Sequence, residues 1–331
     1  MRILRRFLFV SLAVLAATDV HAQSSTINGP LLGFTAALGG TAIEPIMGVP
    51  GASTLANPLP LDAGIFGTVI APSQDYAIAF RAADSQVVVV DLLSGQVTPV
   101  AGVTSDLMMA TSPSGSAAAI YDAGTASIQI IRTPRQSLQV AQRFDSSNIP
   151  GRASSIAVSD DGSVVLAKFV DSGTAELWMM NSSGALQRLP VDQPSAAAFF
   201  ANRNDAIISS DATQSAAILL DAGQRAMQVP LVSAINGMAG FSSIAASDDG
   251  GRVFLEDAES GNIAIVDVQT RTSVVVPCGC RPTGFYHLKG NSIFGLSEAS
   301  QQPIRVLDAS STVPRIVFIR PNLSVVARGA Q

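Results

Sequence analysis

The stretch IAASDDGGRVFLEDAESGNIAIVDVQTRTSVVVP, from Ile244 to Pro277, decides the fold. Four apolar runs rich in Val, Ile and Ala are separated by polar turns, the first of them Ser247-Asp248-Asp249-Gly250. Short runs of this composition bounded by Gly, Asp and Ser read as β-strands, and an Asp-Gly pair between two of them is a strong hairpin signal. The helical period of 3.6 is not sustained anywhere in the chain after residue 22.

The same unit recurs outward in both directions. Copies anchored on Ser73, Ser112, Ser159, Ala201, Ser247 and Leu288 lie 39, 47, 42, 46 and 41 residues apart, 43 on average. Four short strands repeated at about 43 residues is the period of a β-propeller blade. The coils of a parallel β-helix recur at roughly half that period or less, and a two-sheet sandwich does not repeat. The expectation is an all-β propeller in which residues 23–331 form one domain of seven four-stranded blades, with six as the alternative. Six blades are full repeats and the seventh is a composite. Gly40 to Val49 echoes Gly95 to Val103, so Leu31 to Val49 reads as the outer half of the additional blade. Leu323 to Ala327 offers one further strand, and pairing both ends in one blade would remove exposed strand edges.

Residues 1–22 read as a signal peptide. Arg2, Arg5 and Arg6 precede an apolar run from Phe7 to Ala17, and Val20-His21-Ala22 supplies small residues at a cleavage site. The run is shorter than the roughly 20 apolar residues a spanning helix needs, so the expected product is exported, to the periplasm or beyond the cell, and not inserted in a membrane. Loss of the leader moves the balance from 20 basic against 25 acidic residues to 17 against 24. That acidity and the absence of basic clusters argue against nucleic-acid binding, which rests on Lys and Arg neutralising phosphates. With 47% hydrophobic and 14% charged residues the chain is a folded body. A monomer is expected.

The unit resembles the secreted bacterial surface-layer propellers built from YVTN repeats, a branch of the WD40-like superfamily. The resemblance rests on Ser247-Asp248-Asp249-Gly250, Arg252-Val253-Phe254, Ser260-Gly261-Asn262-Ile263, Val266-Asp267, and Gly279 with Pro282; Ser159-Asp160-Asp161-Gly162 repeats the opening. The namesake tetrapeptide is replaced, for example by Val253-Phe254-Leu255-Glu256. The resemblance implies a fold; its members include adhesion and surface proteins, lactonases and quinoprotein-like subunits.

Two acidic series follow the repeat. Asp84, Asp122, Asp171, Asp211, Asp257 and Glu298 fall in the turn between the second and third strands, on the face shared with the crossovers between blades. They are either turn formers, since Asp bonds its own backbone, or an electronegative ring for cations or basic partners. Asp91, Asn181, Asp221, Asp267 and Asp308 close the third strands on the opposite face and read as turn formers alone. Cys278 and Cys280 are the only cysteines, and in an exported protein they are a disulfide candidate. Closing so small a loop, the bond would contribute little stability. His287, the one histidine beyond the leader, sits too far along the next strand to share a metal with them. No spacing calls for a metal or cofactor, and no catalytic residue stands out. A single histidine makes a Ser-His-acid triad hard to assemble. Two functions remain: a non-catalytic exported module that binds a protein or a glycan, or a lactonase- or quinoprotein-like enzyme with carboxylates gathered at the central channel.

Overall fold

In a computed structural model the described residues are 29–320, apart from 38–39, 102, 104–106, 133, 136–138 and 298–302. Every regular element among them is a β-strand. The strands form seven antiparallel sheets, six of four strands and one of three, each built from strands consecutive in sequence. In the four-stranded sheets the inner strands are Ile65–Ile70, Leu107–Thr111, Arg152–Val158, Pro194–Phe199, Ser243–Ala246 and Tyr286–His287. Seven hydrophobic clusters fill the seven gaps between neighbouring sheets, including those on either side of the three-stranded one. The sheets are therefore blades in a closed ring. Each blade is covered on both faces, which is why its middle strands are mostly apolar. Val87 and Val89 face the next blade while Val88 and Val90 face the preceding one.

The first hairpin of each full blade shows what the repeat encodes. Ser112, Ser159 and Ser247 each accept at the hydroxyl from the backbone N–H five residues on, at 3.0, 3.0 and 2.9 Å. Gly115, Gly162 and Gly250, three residues after these serines, have φ of 76°, 65° and 68°, a region open to glycine and awkward for other residues. The N–H that bonds across this hairpin belongs to Ala71, Ser112, Ser159, Phe200, Ser247 and Leu288. The strict spacings between these positions are thus 41, 47, 41, 47 and 41. This corrects the anchors Ser73 and Ala201: the slot is defined by its backbone bond, and its side chain is free to vary.

The three-stranded blade comprises Leu31–Ala37, Ala42–Val49 and Ala52–Leu55. The carbonyl of Leu32 accepts from Lys289 N–H at 2.8 Å, beside the first hairpin of the preceding blade. Thr68 Oγ1 donates to Gly40 O at the other end of the same sheet. Leu31–Ala37 consequently runs opposite to the inner strands, as second strands do. Residues 56–64 then cross to Ile65 as a fourth strand's exit does in the other blades. The N-terminal segment supplies strands two to four of the closing blade, somewhat more than the expected outer half. Leu323 to Ala327 lies outside the described residues.

Gln74 latches this blade to its neighbours. It is buried, it occupies the hairpin position that Gly115, Gly162 and Gly250 fill in three other blades, and its φ is 57°. Its Oε1 accepts from Phe34 N–H at 2.6 Å, and its Nε2 donates to the carbonyl of His287. One side chain thereby joins the closing blade, the blade after it and the blade before it.

Candidate functional site

The turns between second and third strands do lie beside the crossovers. Ala82 N–H bonds Gly64 O, Ser146 N–H bonds Ala126 O, Phe241 N–H bonds Asp211 Oδ1 and Ala239 N–H bonds Asp257 Oδ2. All five described members of the first acidic series are on this crossover face, and Glu298 lies outside the described residues.

Their surroundings differ. Asp84 is exposed and paired with Arg81 at 2.6 Å; that charged hydrogen bond holds its carboxyl below the usual range. Asp122 is buried and turns inward, accepting from Gly124 N–H at 2.8 Å and from Thr125 Oγ1 at 2.8 Å. Asp257 is also buried. Burial alone would raise its carboxyl, but bonds from Ala239 N–H, Ser260 Oγ and the N–H groups of Ser260 and Glu259 outweigh it and bring it below the usual range. Asp171 is exposed, with Ser172 Oγ 3.3 Å away. Asp211 accepts from Phe241 N–H at 3.0 Å and is exposed. The second acidic series makes local turn bonds, as with Asp267, which accepts from Thr270 N–H at 2.7 Å. Its members are not turn formers alone, however: Asp91 is paired with Arg135 at 3.0 Å and Asn181 Nδ2 donates to Gly223 O at 2.9 Å, both across to the next blade.

Asp211 is where two clefts of the crossover face meet. One, of about 830 Å³, is bounded by Asp211, Ser242, Asp257, Glu259, Cys280 and Arg281. The other, of about 990 Å³, is bounded by Lys168, Arg188, Asp192, Gln193, Pro194 and Asp211. Lys168 Nζ donates to Ser195 O at 2.8 Å, and burial holds its ammonium below the ordinary lysine range. Together the clefts make a polar groove of mixed charge over three consecutive blades. Cys278 and Cys280 are joined across Gly279 with Cα atoms 5.2 Å apart. Cys278 packs between blades while Cys280 borders the groove.

The central channel is different. Its cavity, about 480 Å³, is walled by the inner strands and by Leu31–Ala37. Its described lining carries no Asp, Glu, Lys or Arg, and Phe34, Met109, Ile156, Phe199 and Ile244 make much of the wall. None of the five described acids of the first series reaches it. His287 does, from the end remote from the crossovers. Burial lowers it to about 4, so the imidazole is neutral at pH 7, and its Nδ1 stands 3.8 Å from Asp248 Oδ1, beyond hydrogen-bond reach. Among the described residues no three His, Cys, Asp or Glu side chains are grouped to hold a metal, and no helix is long and apolar enough to cross a membrane.

Two groups were missed in the sequence. Gln74 could have been noticed as the non-glycine at a glycine position. Glu256 is the penultimate residue of the second strand Arg252–Asp257 and is buried. Burial raises it to about 7, Ser242 Oγ lies 3.2 Å from its Oε1, and its Oε2 has no hydrogen-bond partner.

No family model matches this sequence, and no curated protein matches it. Solved structures do. A hydrazine synthase of Kuenenia stuttgartiensis is 13% identical over 89% of this chain and 98% of that one, with a TM-score of 0.53. A functionally unknown protein of Desulfotomaculum acetoxidans DSM 771 is 14% identical over 88% of this chain and 100% of that one, at 0.57. PorZ, a bacterial surface component of the type-IX secretion system of Porphyromonas gingivalis, is 11% identical over 88% of this chain and 39% of that one, at 0.55. At such identities the likeness speaks to fold alone. Ring closure, blade order and these neighbours agree that the chain is a seven-bladed β-propeller.

Proposed function

We propose that the protein is an exported, non-catalytic binding propeller of the YVTN-like kind that engages a protein or glycan through its crossover face. One observation carries the reading: the clefts meeting at Asp211 form a polar groove there, while the channel lining holds no carboxylate. Exposed hydrogen-bonding groups of both charges suit a hydroxyl-rich glycan or a polar peptide segment. A channel enzyme of lactonase or quinoprotein-like type would need carboxylates at the place where the described wall is apolar. Export rests on the leader at residues 1–22; the secreted form should begin at Gln23, as intact-mass measurement would read.

The test is binding to glycan arrays and to cell-envelope fractions, comparing the parent with Asp211→Asn/Glu259→Gln. Asn at 211 keeps an acceptor for Phe241 N–H, so the pair removes charge and leaves the turn intact. The reading expects at least a tenfold loss of affinity, about 1.4 kcal/mol. Equal binding by both proteins would overturn it.

A further inference from the structure

The Cys278–Cys280 bond joins two unlike places. Cys278 is buried in the apolar cluster between the last two four-stranded blades, whereas Cys280 is half-buried and borders the 830 Å³ cleft. Gly279 between them is exposed, and no atom lies within 4 Å of where a Cβ on it would stand. The loop is closed on the side of the core and open on the side of the cleft.

Its shape is held by backbone and not only by sulfur. Cys278 N–H donates to Gly261 O at 2.9 Å, and the carbonyl oxygen of Cys280 stands 2.5 Å from the place a Cβ on Gly261 would take. Lacking that Cβ, and with φ of 69°, Gly261 lets the crossover press onto it from both ends of the loop. These contacts keep the two Cα atoms 5.2 Å apart, a separation that a disulfide bridges without backbone movement. A bond that closes so few residues also removes little entropy from the unfolded chain, so folding favours the oxidised form over the dithiol only weakly.

We infer that this bond is a thiol–disulfide exchange site, which oxidises a pair of cysteine thiols on a polypeptide presented at the crossover face. An accessible sulfur beside an enclosed one sets the order of steps. A partner thiolate attacks Sγ of Cys280, the S–S bond breaks, and Cys278 leaves as a thiolate that takes up a proton. The partner's second thiolate then attacks its own sulfur in the mixed disulfide and releases Cys280. Two electrons and two protons have passed to the protein: the partner holds a disulfide, and Cys278 and Cys280 are thiols. The exchange is stoichiometric, one bond for one bond. Asp211, Asp257 and Glu259 outnumber Arg281 among the charged groups of the cleft, so a cysteine pair flanked by Lys or Arg suits it better than an acidic one.

The chemistry is separable from ligand binding by the groove, since small thiols reach Cys280 without it. The oxidised full chain is mixed with reduced glutathione, folded and in urea, and loss of the bond is followed by alkylation and mass spectrometry. The folded protein is expected to react within tenfold of the unfolded rate or faster, with glutathione caught on Cys280. A folded rate tenfold or more below the unfolded one, or capture on Cys278, would overturn the exchange site. Dithiol peptides flanked by Lys or by Glu then test the partner. On the folded protein the Lys peptide should be oxidised at least threefold faster, with equal rates in urea. Equal rates on the folded protein would overturn the basic partner.

Discussion

Replacing Gln74 with Ala strips two hydrogen bonds from the joint of three blades while leaving the backbone where it is. The buried N–H of Phe34 loses its 2.6 Å acceptor, and the half-buried carbonyl of His287 loses its donor. Each orphaned group costs about 1–3 kcal/mol, the buried N–H towards the upper end. Alanine also retains the left-handed φ of 57°, so it gains no conformational relief. The expected loss is about 3 kcal/mol. Glycine at 74 loses the same bonds but accepts that φ freely, recovering roughly 1 kcal/mol of the left-handed strain. The predicted order of stability is therefore parent, then Gln74→Gly, then Gln74→Ala. Urea unfolding at equilibrium reads it as a falling midpoint at constant slope. A Gln74→Ala midpoint matching the parent, or Gly less stable than Ala, would refute the latch.

Further outcomes follow from neighbouring contacts. Gly33→Ala should destabilise by about 1–3 kcal/mol in the same assay, because its Cβ would stand 2.9 Å from Gln74 Oε1 and 2.9 Å from Leu288 Cδ2. Glu256 and His287 impose opposite pH dependence. Glu256 holds its proton to about 7 in the fold against 4.5 when unfolded, so stability is lost as pH rises across that window. His287 is protonated only near 4 in the fold against 6.5 when unfolded, so stability is lost as pH falls across that one. Their slopes oppose between 4.5 and 6.5. Glu256→Gln should expose a rise in stability with pH and His287→Gln a fall, each roughly 2–3 kcal/mol across its window; unchanged slopes would contradict both assignments. Reducing the Cys278–Cys280 bond should lower stability by no more than about 1.6 kcal/mol, since the closed loop is so small. Cys278→Ser should cost about 1–3 kcal/mol regardless, by placing a hydroxyl in the cluster between the last two blades.

The repeat was legible because propeller blades are alike in their main-chain bonding, and that bonding selects Ser, Asp and Gly at the hairpins. Ser159 through Gly162 and Ser247 through Gly250 announce themselves for this reason. The blade around Ala71 and Gln74 was recognised only with its anchor displaced to Ser73, since its hairpin keeps the backbone bond and drops both the serine and the glycine. The crossover face was legible as the place where Asp84, Asp122, Asp171, Asp211 and Asp257 gather. Sequence position did not separate Asp122, which turns inward to local backbone N–H groups, from Asp211 and Asp257, which border the groove. That division depends on how crossovers of unequal length fold back over each turn. Glu256 was hidden in an apolar strand, where its burial is set by packing against the next blade and not by its neighbours in sequence.

The central claim is that ligand is held by the crossover-face groove and not by the channel. Binding isotherms for the ligand found in the screen, taken on the parent, on Asp211→Asn/Glu259→Gln and on Ala110→Phe, compare the two places directly. Ala110 lines the cavity, and a phenyl group there fills space without touching the groove. The account predicts at least tenfold weaker binding for the groove variant and unchanged affinity for Ala110→Phe. Affinity lost on filling the channel and kept on neutralising the groove would contradict it.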